Sequence, residues 1–318
     1  MFIKQAFNYK HEFWRYLVGS FIVFVAAIIG QLPLGGVLVF QSMEQGMGLS
    51  GVTEENMYTL LESNLFLFLM LISFVFALIA LYFVVKYLHQ QKFVSVATSR
   101  PKLDWRRIWF AFFFWGILST TLVVIDALVL SPDDYVVNLE WPRFVILAII
   151  AICLIPLQTS LEEYLFRGYL MQGFGTLAKN RWFPLLLTSV IFGGLHIANP
   201  EVGKLGYSIM VYYIGTGLFL GIMTLMDEGL ELALGFHAAN NLFTALLVTS
   251  DWTAFQTHSI FKDISEPEIG FIDMFLPVFI IFPVMLLIFA KVYRWNNWKE
   301  KLFGKIEEPA EENYKVIE

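Results

Sequence analysis

The sequence has a single cysteine, Cys153, among 318 residues. No intrachain disulfide can form, and neither a cysteine-rich zinc site nor a C-x-x-C redox pair can be built. Charge is also scarce. Asp, Glu, Lys and Arg make up 15% of the residues against 58% hydrophobic ones, too little polar surface to wrap a water-soluble fold of this size. The net charge of −6 is modest and partly carried by the run Glu307-Glu308-Pro309-Ala310-Glu311-Glu312, so nucleic-acid binding has no support. None of the five histidines lies in an H-E-x-x-H motif.

What the sequence has is apolar runs of about 20 residues, the length a helix needs to cross the hydrocarbon core of a bilayer. Hydropathy predicts an all-α, polytopic membrane helix bundle of about eight transmembrane helices: Tyr16 to Phe40, Leu65 to Tyr87, Ile108 to Leu130, Phe144 to Leu177, Phe183 to Ala198, Tyr207 to Met226, Leu230 to Thr249 and Met274 to Tyr293. Trp14, Trp105, Trp109, Trp141, Trp182 and Trp295 fall at the span ends, where amphipathic rings favour the interface. The first span is longer than a secretory signal's apolar region and is expected to be retained. Residues 1–306 read as one integral membrane domain with a functional core over about 144–249, and 307–318 as an acidic, solvated tail. With the N-terminus inside, only Arg143, Lys204 and Lys262 of the 21 Lys and Arg fall outside. The expected topology therefore has both termini cytoplasmic, in the inner membrane if the cell is bacterial.

The fourth segment is too long. About 34 residues make a helix near 50 Å, so it must break, tilt or protrude. Pro156 removes a backbone hydrogen bond in its middle, and Gly168, Gly173 and Gly175 are expected to loosen its end. In the sixth span Gly217 and Gly221 have the spacing of close helix packing.

Charged side chains at membrane depth cost roughly 2.5–3.5 kcal/mol each on insertion scales, so each one retained needs a reason. The fourth span carries Glu162, Glu163 and Arg167 within seven residues of Leu161. Glu163 and Arg167 are i,i+4 neighbours with the acid first, the favourable order for an ion pair. Glu162 is i,i+5 from Arg167 and is left to face a cavity as a base. The bland alternative is an interfacial cluster whose side chains snorkel. His196 lies one turn after Phe192 in span five, and by itself such a histidine is more often packed than catalytic. His237 shares a helical face with Asn240 and Asn241 in span seven, where an imidazole and an amide could stabilise an oxyanion or simply clamp two helices. His11, His89 and His258 fall in loops, and Asp126 reads as interfacial.

These elements, Glu162-Glu163-xxx-Arg167, Phe192-xxx-His196 and His237-xxx-Asn241, resemble the EExxxR, FxxxH and HxxxN pattern of the CAAX protease and bacteriocin-processing (CPBP, or Abi) family of intramembrane endopeptidases. The resemblance covers about a quarter of the chain. It implies that Glu162 and His196 activate a water, that His237 and Asn241 stabilise the oxyanion, and that Glu163 and Arg167 support the site. No cofactor is expected, and the alternative is a zinc held by Glu162, His196 and His237. The implied partners are a peptide or protein substrate, with or without a lipid group, and membrane lipids. Competing readings are a catalytically silent membrane partner or immunity protein of the same fold, and a transporter. Bringing Glu162 to the depth of His196 further requires span four to begin near Ile150 with Arg167 drawn inside by Glu163.

Overall fold

A computed structural model describes residues 1–48, 51–53, 56–267 and 275–309. The start of the eighth expected span, Met274, and the tail from residue 310 onward lie outside the described residues. Helices stand at each of the eight expected positions: α1 (Phe13–Glu44), α2 (Ser63–Leu88), α3 (Trp105–Leu130), α4 (Trp141–Ala178), α5 (Trp182–Gly194), α6 (Tyr207–Asp227), α7 (Glu231–Leu247) and α8 (Pro277–Tyr293). Among the described residues α1, α2, α3, α4 and α6 are long and apolar enough to cross a membrane, while α5 and α8 are shorter apolar helices. Side chains such as Phe21, Leu32, Ile117, Val129 and Leu287 point outward, more than half exposed. Such an outer face needs hydrocarbon around it, and the protein is a multi-pass integral membrane protein.

The helix ends follow local chemistry. The Glu62 carboxylate caps α2 by accepting from the Leu65 N–H at 3.0 Å, and Asp104 caps α3 by accepting from the Arg106 N–H at 3.1 Å. Glu228 takes a left-handed conformation, φ 58°, and turns the chain at once from α6 into α7. That turn is pinned by charge. Arg100 reaches both Asp227 and Glu231 at 3.1 Å, while Arg107 and the Trp295 indole also bond Asp227. In the sequence Arg100 and Arg107 registered only as loop charge.

Helix α7 packs between α3 and α4, α6 lies against α5, and α2 joins α1 to α4. Glycines set two of these distances. A Cβ at Gly235 would sit 2.0 Å from the Ile108 carbonyl oxygen of α3, and one at Gly217 would sit 2.9 Å from the Ser189 carbonyl oxygen of α5.

Helix α4 departs from expectation. It runs from Trp141, passes Pro156 without breaking, and rewinds as a π-helix over Tyr164–Leu170 before ending at Ala178. Its 38 residues are more than a bilayer crossing needs, and its glycines lie toward the C-terminal end. There it is not loosened. The N-terminal turn Ile3–Asn8 packs against it, with Phe2, Ile3 and Phe7 buried beside Ile306. At the opposite end three short strands, β1 (Tyr135–Val137), β2 (Val248–Thr249) and β3 (Phe261–Asp263), form a sheet in the order β1-β3-β2, where the sequence suggested loops for β1 and β3 and the end of the seventh span for β2.

His89, just after α2, ties the N-terminal turn to α4. Its Nδ1–H donates to the Lys10 carbonyl at 2.7 Å, and Nε2 lies 2.9 Å from the Tyr169 hydroxyl. Burial pushes its pKa down from the ordinary 6.5 to about 4, with the Arg15 charge adding to the effect. A folded-state value below the unfolded one means that the unfolded chain binds the extra proton first. The stability contributed by neutral His89 is therefore complete above about pH 6.5 and lost as pH falls toward 4. Melting curves between pH 7.5 and 4.5 are expected to show a steeper fall for the wild-type protein than for His89→Gln. Equal slopes would contradict a buried neutral imidazole.

Candidate active site

The polar residues of α4 lie where α-helix gives way to π-helix, immediately after Glu163. Single-turn π segments inside α-helices recur at functional sites. The Glu163 and Arg167 side chains are both 0% exposed and paired, Arg167 Nη1 donating to Glu163 Oε1 at 2.9 Å. The guanidinium also lies over the Phe192 ring, 4.0 Å from its centroid, and reaches the Gly217 carbonyl at 3.4 Å. This burial rules out a snorkelling interfacial cluster.

His237 of α7 completes the pair. Its Nδ1 is 2.8 Å from Glu163 Oε1, and because a carboxylate only accepts, Nδ1 carries the proton. The other ring nitrogen faces Glu162, with Nε2 3.4 Å from Oε2. Glu162 keeps 15% of its side chain exposed, so of the two adjacent glutamates one is sealed in an ion pair and the other opens to the surroundings.

Glu162 Oε1 accepts from Gln158 Nε2 at 2.7 Å, and Gln158 Oε1 accepts in turn from Asn241 Nδ2 at 3.1 Å. The sequence reading passed over Gln158. Its i,i+4 spacing to Glu162 was the available signal, since it puts the amide one turn below the carboxylate on the same face.

His196 is placed differently from expectation. Helix α5 ends at Gly194, so His196 sits in the turn beyond it rather than within a span. Its Nδ1–H donates to the Phe192 carbonyl at 2.9 Å, which leaves Nε2 with the lone pair, and its ring stacks on Tyr213 with centroids 4.3 Å apart. Phe192 lies 5.0 Å from the His196 ring and 5.9 Å from the His237 ring, in contact with both imidazoles. Two hydrogen-bonded groups, Glu163 with Arg167 and His237, and Glu162 with Gln158 and Asn241, thus meet where His237 Nε2 approaches Glu162, and His196 reaches them through the Phe192 ring. Among the described residues no three His, Cys, Asp or Glu side chains are arranged to hold a metal ion, so the set Glu162, His196 and His237 is not gathered as a ligand cage.

Residues 141–243, from the start of α4 to near the end of α7, match the family model for "Type II CAAX prenyl endopeptidase Rce1-like" proteins. The chain is also 32% identical over 238 residues to "Uncharacterized protein YyaK" of Bacillus subtilis (strain 168), covering 74% of this chain and 77% of that protein. No solved structure matches the chain. The chain belongs to the Rce1-like family of type II CAAX prenyl endopeptidases, and all six site residues fall inside the matched segment.

Proposed function

We propose that this protein hydrolyses peptide bonds of membrane-associated substrates at the α4–α7 site with Glu162 as the general base. The observation that carries the reading is the division of labour between neighbouring carboxylates. Glu163 is consumed by Arg167 and His237, while Glu162 is steadied by Gln158 and partly open.

A water placed between Glu162 and His196 gives its proton to Glu162, and the hydroxide attacks the peptide carbonyl carbon. The Nε2 lone pair of His196 accepts that water's second hydrogen and orients it. As the tetrahedral oxyanion forms, Asn241 Nδ2–H donates to it. With Nδ1–H committed to Glu163, a second proton on His237 Nε2 makes that nitrogen a donor as well. Collapse of the intermediate breaks the C–N bond, and Glu162 returns its proton to the leaving amine. The family's name points to a substrate carrying a prenylated C-terminal tetrapeptide, and an apolar bundle open to lipid suits a lipidated chain. The test is cleavage of a fluorescence-quenched prenylated peptide by purified protein beside Glu162→Gln. Cleavage lost in that variant supports the base, and cleavage retained removes it.

The proposed orientation puts the N-terminal turn, the α2–α3 connection and Ile306, which gather at one end of the bundle, in the cytoplasm. Cys153 is exposed and is first replaced by serine. An impermeant maleimide on intact cells is then expected to label Asp133→Cys and to reach Lys92→Cys only after permeabilisation. The opposite pattern would invert the topology.

A further inference from the structure

Three side chains at the site have no part in the chemistry above: Trp115 of α3, Asn240 of α7 and Gln158 of α4. Hydrogen bonds run through them without a gap. Trp115 Nε1–H donates to Asn240 Oδ1 at 3.1 Å, and Asn240 Nδ2 donates to Asn241 Oδ1 at 3.2 Å. Asn241 Nδ2 donates to Gln158 Oε1 at 3.1 Å, and Gln158 Nε2 donates to Glu162 Oε1 at 2.7 Å.

We propose that Trp115, Asn240 and Gln158 are positioning residues whose one-way hydrogen-bond chain fixes the polarity of the amides around Glu162. This rests on the reading of Glu162 as base and Asn241 as oxyanion donor. The two ends of the chain set its direction. An indole nitrogen can only donate and an ionised carboxylate can only accept, so the two ends impose a direction on the three carboxamides between them. Turning any one carboxamide over sets acceptor against acceptor on one side and donor against donor on the other. The chain therefore keeps the Asn241 NH2 group turned toward Gln158 and Glu162, with its second N–H unspent. It also presents an N–H, never a carbonyl, to Glu162. Gln158 is 4% exposed and Trp115 8%, so water competes little for these bonds. Trp115 lies outside the family-matched segment 141–243, and the chain gives α3 a part in the site.

The decisive comparison is between two changes at one position. Asn240→Ala cuts the chain without imposing a wrong direction, and kcat is expected to fall about tenfold, the worth of one hydrogen bond of about 1.4 kcal/mol. Asn240→Asp has the same shape but only accepts. It takes the Trp115 hydrogen and draws the Asn241 NH2 toward itself, after which Gln158 turns its carbonyl onto Glu162. The donor to the oxyanion is then misdirected, so kcat should fall about a hundredfold with KM little changed. Both variants should melt below wild type, Ala through the gap it leaves and Asp through the charge it adds, so the kcat and KM split and the Trp115 indole read the chain rather than stability. A merely structural role predicts that kcat falls only as far as the melting temperature does in each variant.

The experiment is steady-state cleavage of a quenched, prenylated CAAX peptide in detergent micelles by wild type, Asn240→Ala, Asn240→Asp and Glu162→Gln, with a melting curve for each. A second readout follows the indole N–H resonance of Trp115, identified by its loss in Trp115→Phe. It should stay in place in Asn240→Asp and move in Asn240→Ala. A kcat lower in Asn240→Asp than in Asn240→Ala at little-changed KM, with that resonance pattern, supports the chain. Asn240→Asp as active as Asn240→Ala, or an indole resonance indifferent to both changes, overturns it. If Glu162→Gln cleaves, the base assignment itself fails. If Glu162→Gln is dead while Asn240→Asp keeps full kcat, only the chain fails.

Discussion

Glu162→Gln is expected to reduce cleavage by about 10² to 10⁴, the usual contribution of a positioned general base, while the melting temperature stays within a few degrees of wild type. Activity and stability respond separately here. An amide oxygen at position 162 can still accept the hydrogen bond from Gln158 Nε2, so the local network survives. It cannot take a proton from water. Because Glu162 is partly open, the lost charge strands no buried partner, and Arg167 remains paired with Glu163. The result checks function alone.

Glu163→Gln should behave in the opposite way, losing stability and activity together. Here a single oxygen, Oε1, receives both Arg167 Nη1 and His237 Nδ1, and the carboxylate and guanidinium are fully buried. Removing the negative charge leaves the guanidinium uncompensated in a low-dielectric interior, a change that typically costs about 3–5 kcal/mol. It also releases His237 from the tautomer that aims Nε2 at Glu162. The double variant Glu163→Gln/Arg167→Leu removes the stranded charge, so part of the stability should return because apolar groups often replace a buried ion pair at little cost. Activity should not return. Melting curves and cleavage rates on the two variants separate these effects, and a double variant as unstable as the single one would argue against the ion pair as the cause.

The site was partly legible in the sequence because its main relationships are local to one helix. The spacing of Glu163 and Arg167 predicts their pairing, and the same geometry turns Glu162 away from Arg167. The eight helical positions were legible for a similar reason, since hydropathy depends on neighbours in the chain. What was hidden depends on contacts between distant segments. The bond from Trp115 to Asn240 requires the α3–α7 register, which is set by backbone contact at Gly235 and Ile108. The three-stranded sheet pairs strands from the α3–α4 connection and from the region after α7, with too few residues each to show a period. The early end of α5 took His196 out of its expected helix although its Nδ1–H still bonds the Phe192 carbonyl four residues back. Excess length in α4 was visible, but its destination was not. The N-terminal turn that receives it is an apolar Phe2-Ile3 and Phe7 surface too short to read as an element.

The account turns on which of two adjacent glutamates does the chemistry. The most direct test is single-turnover cleavage of one prenylated peptide by wild type, Glu162→Gln and Glu163→Gln in the same detergent, each paired with its melting curve. The account predicts cleavage slowed about 10² to 10⁴ at a melting temperature within a few degrees of wild type for Glu162→Gln, and weak or no cleavage at a clearly lowered one for Glu163→Gln. Cleavage by Glu162→Gln at the wild-type rate would contradict it.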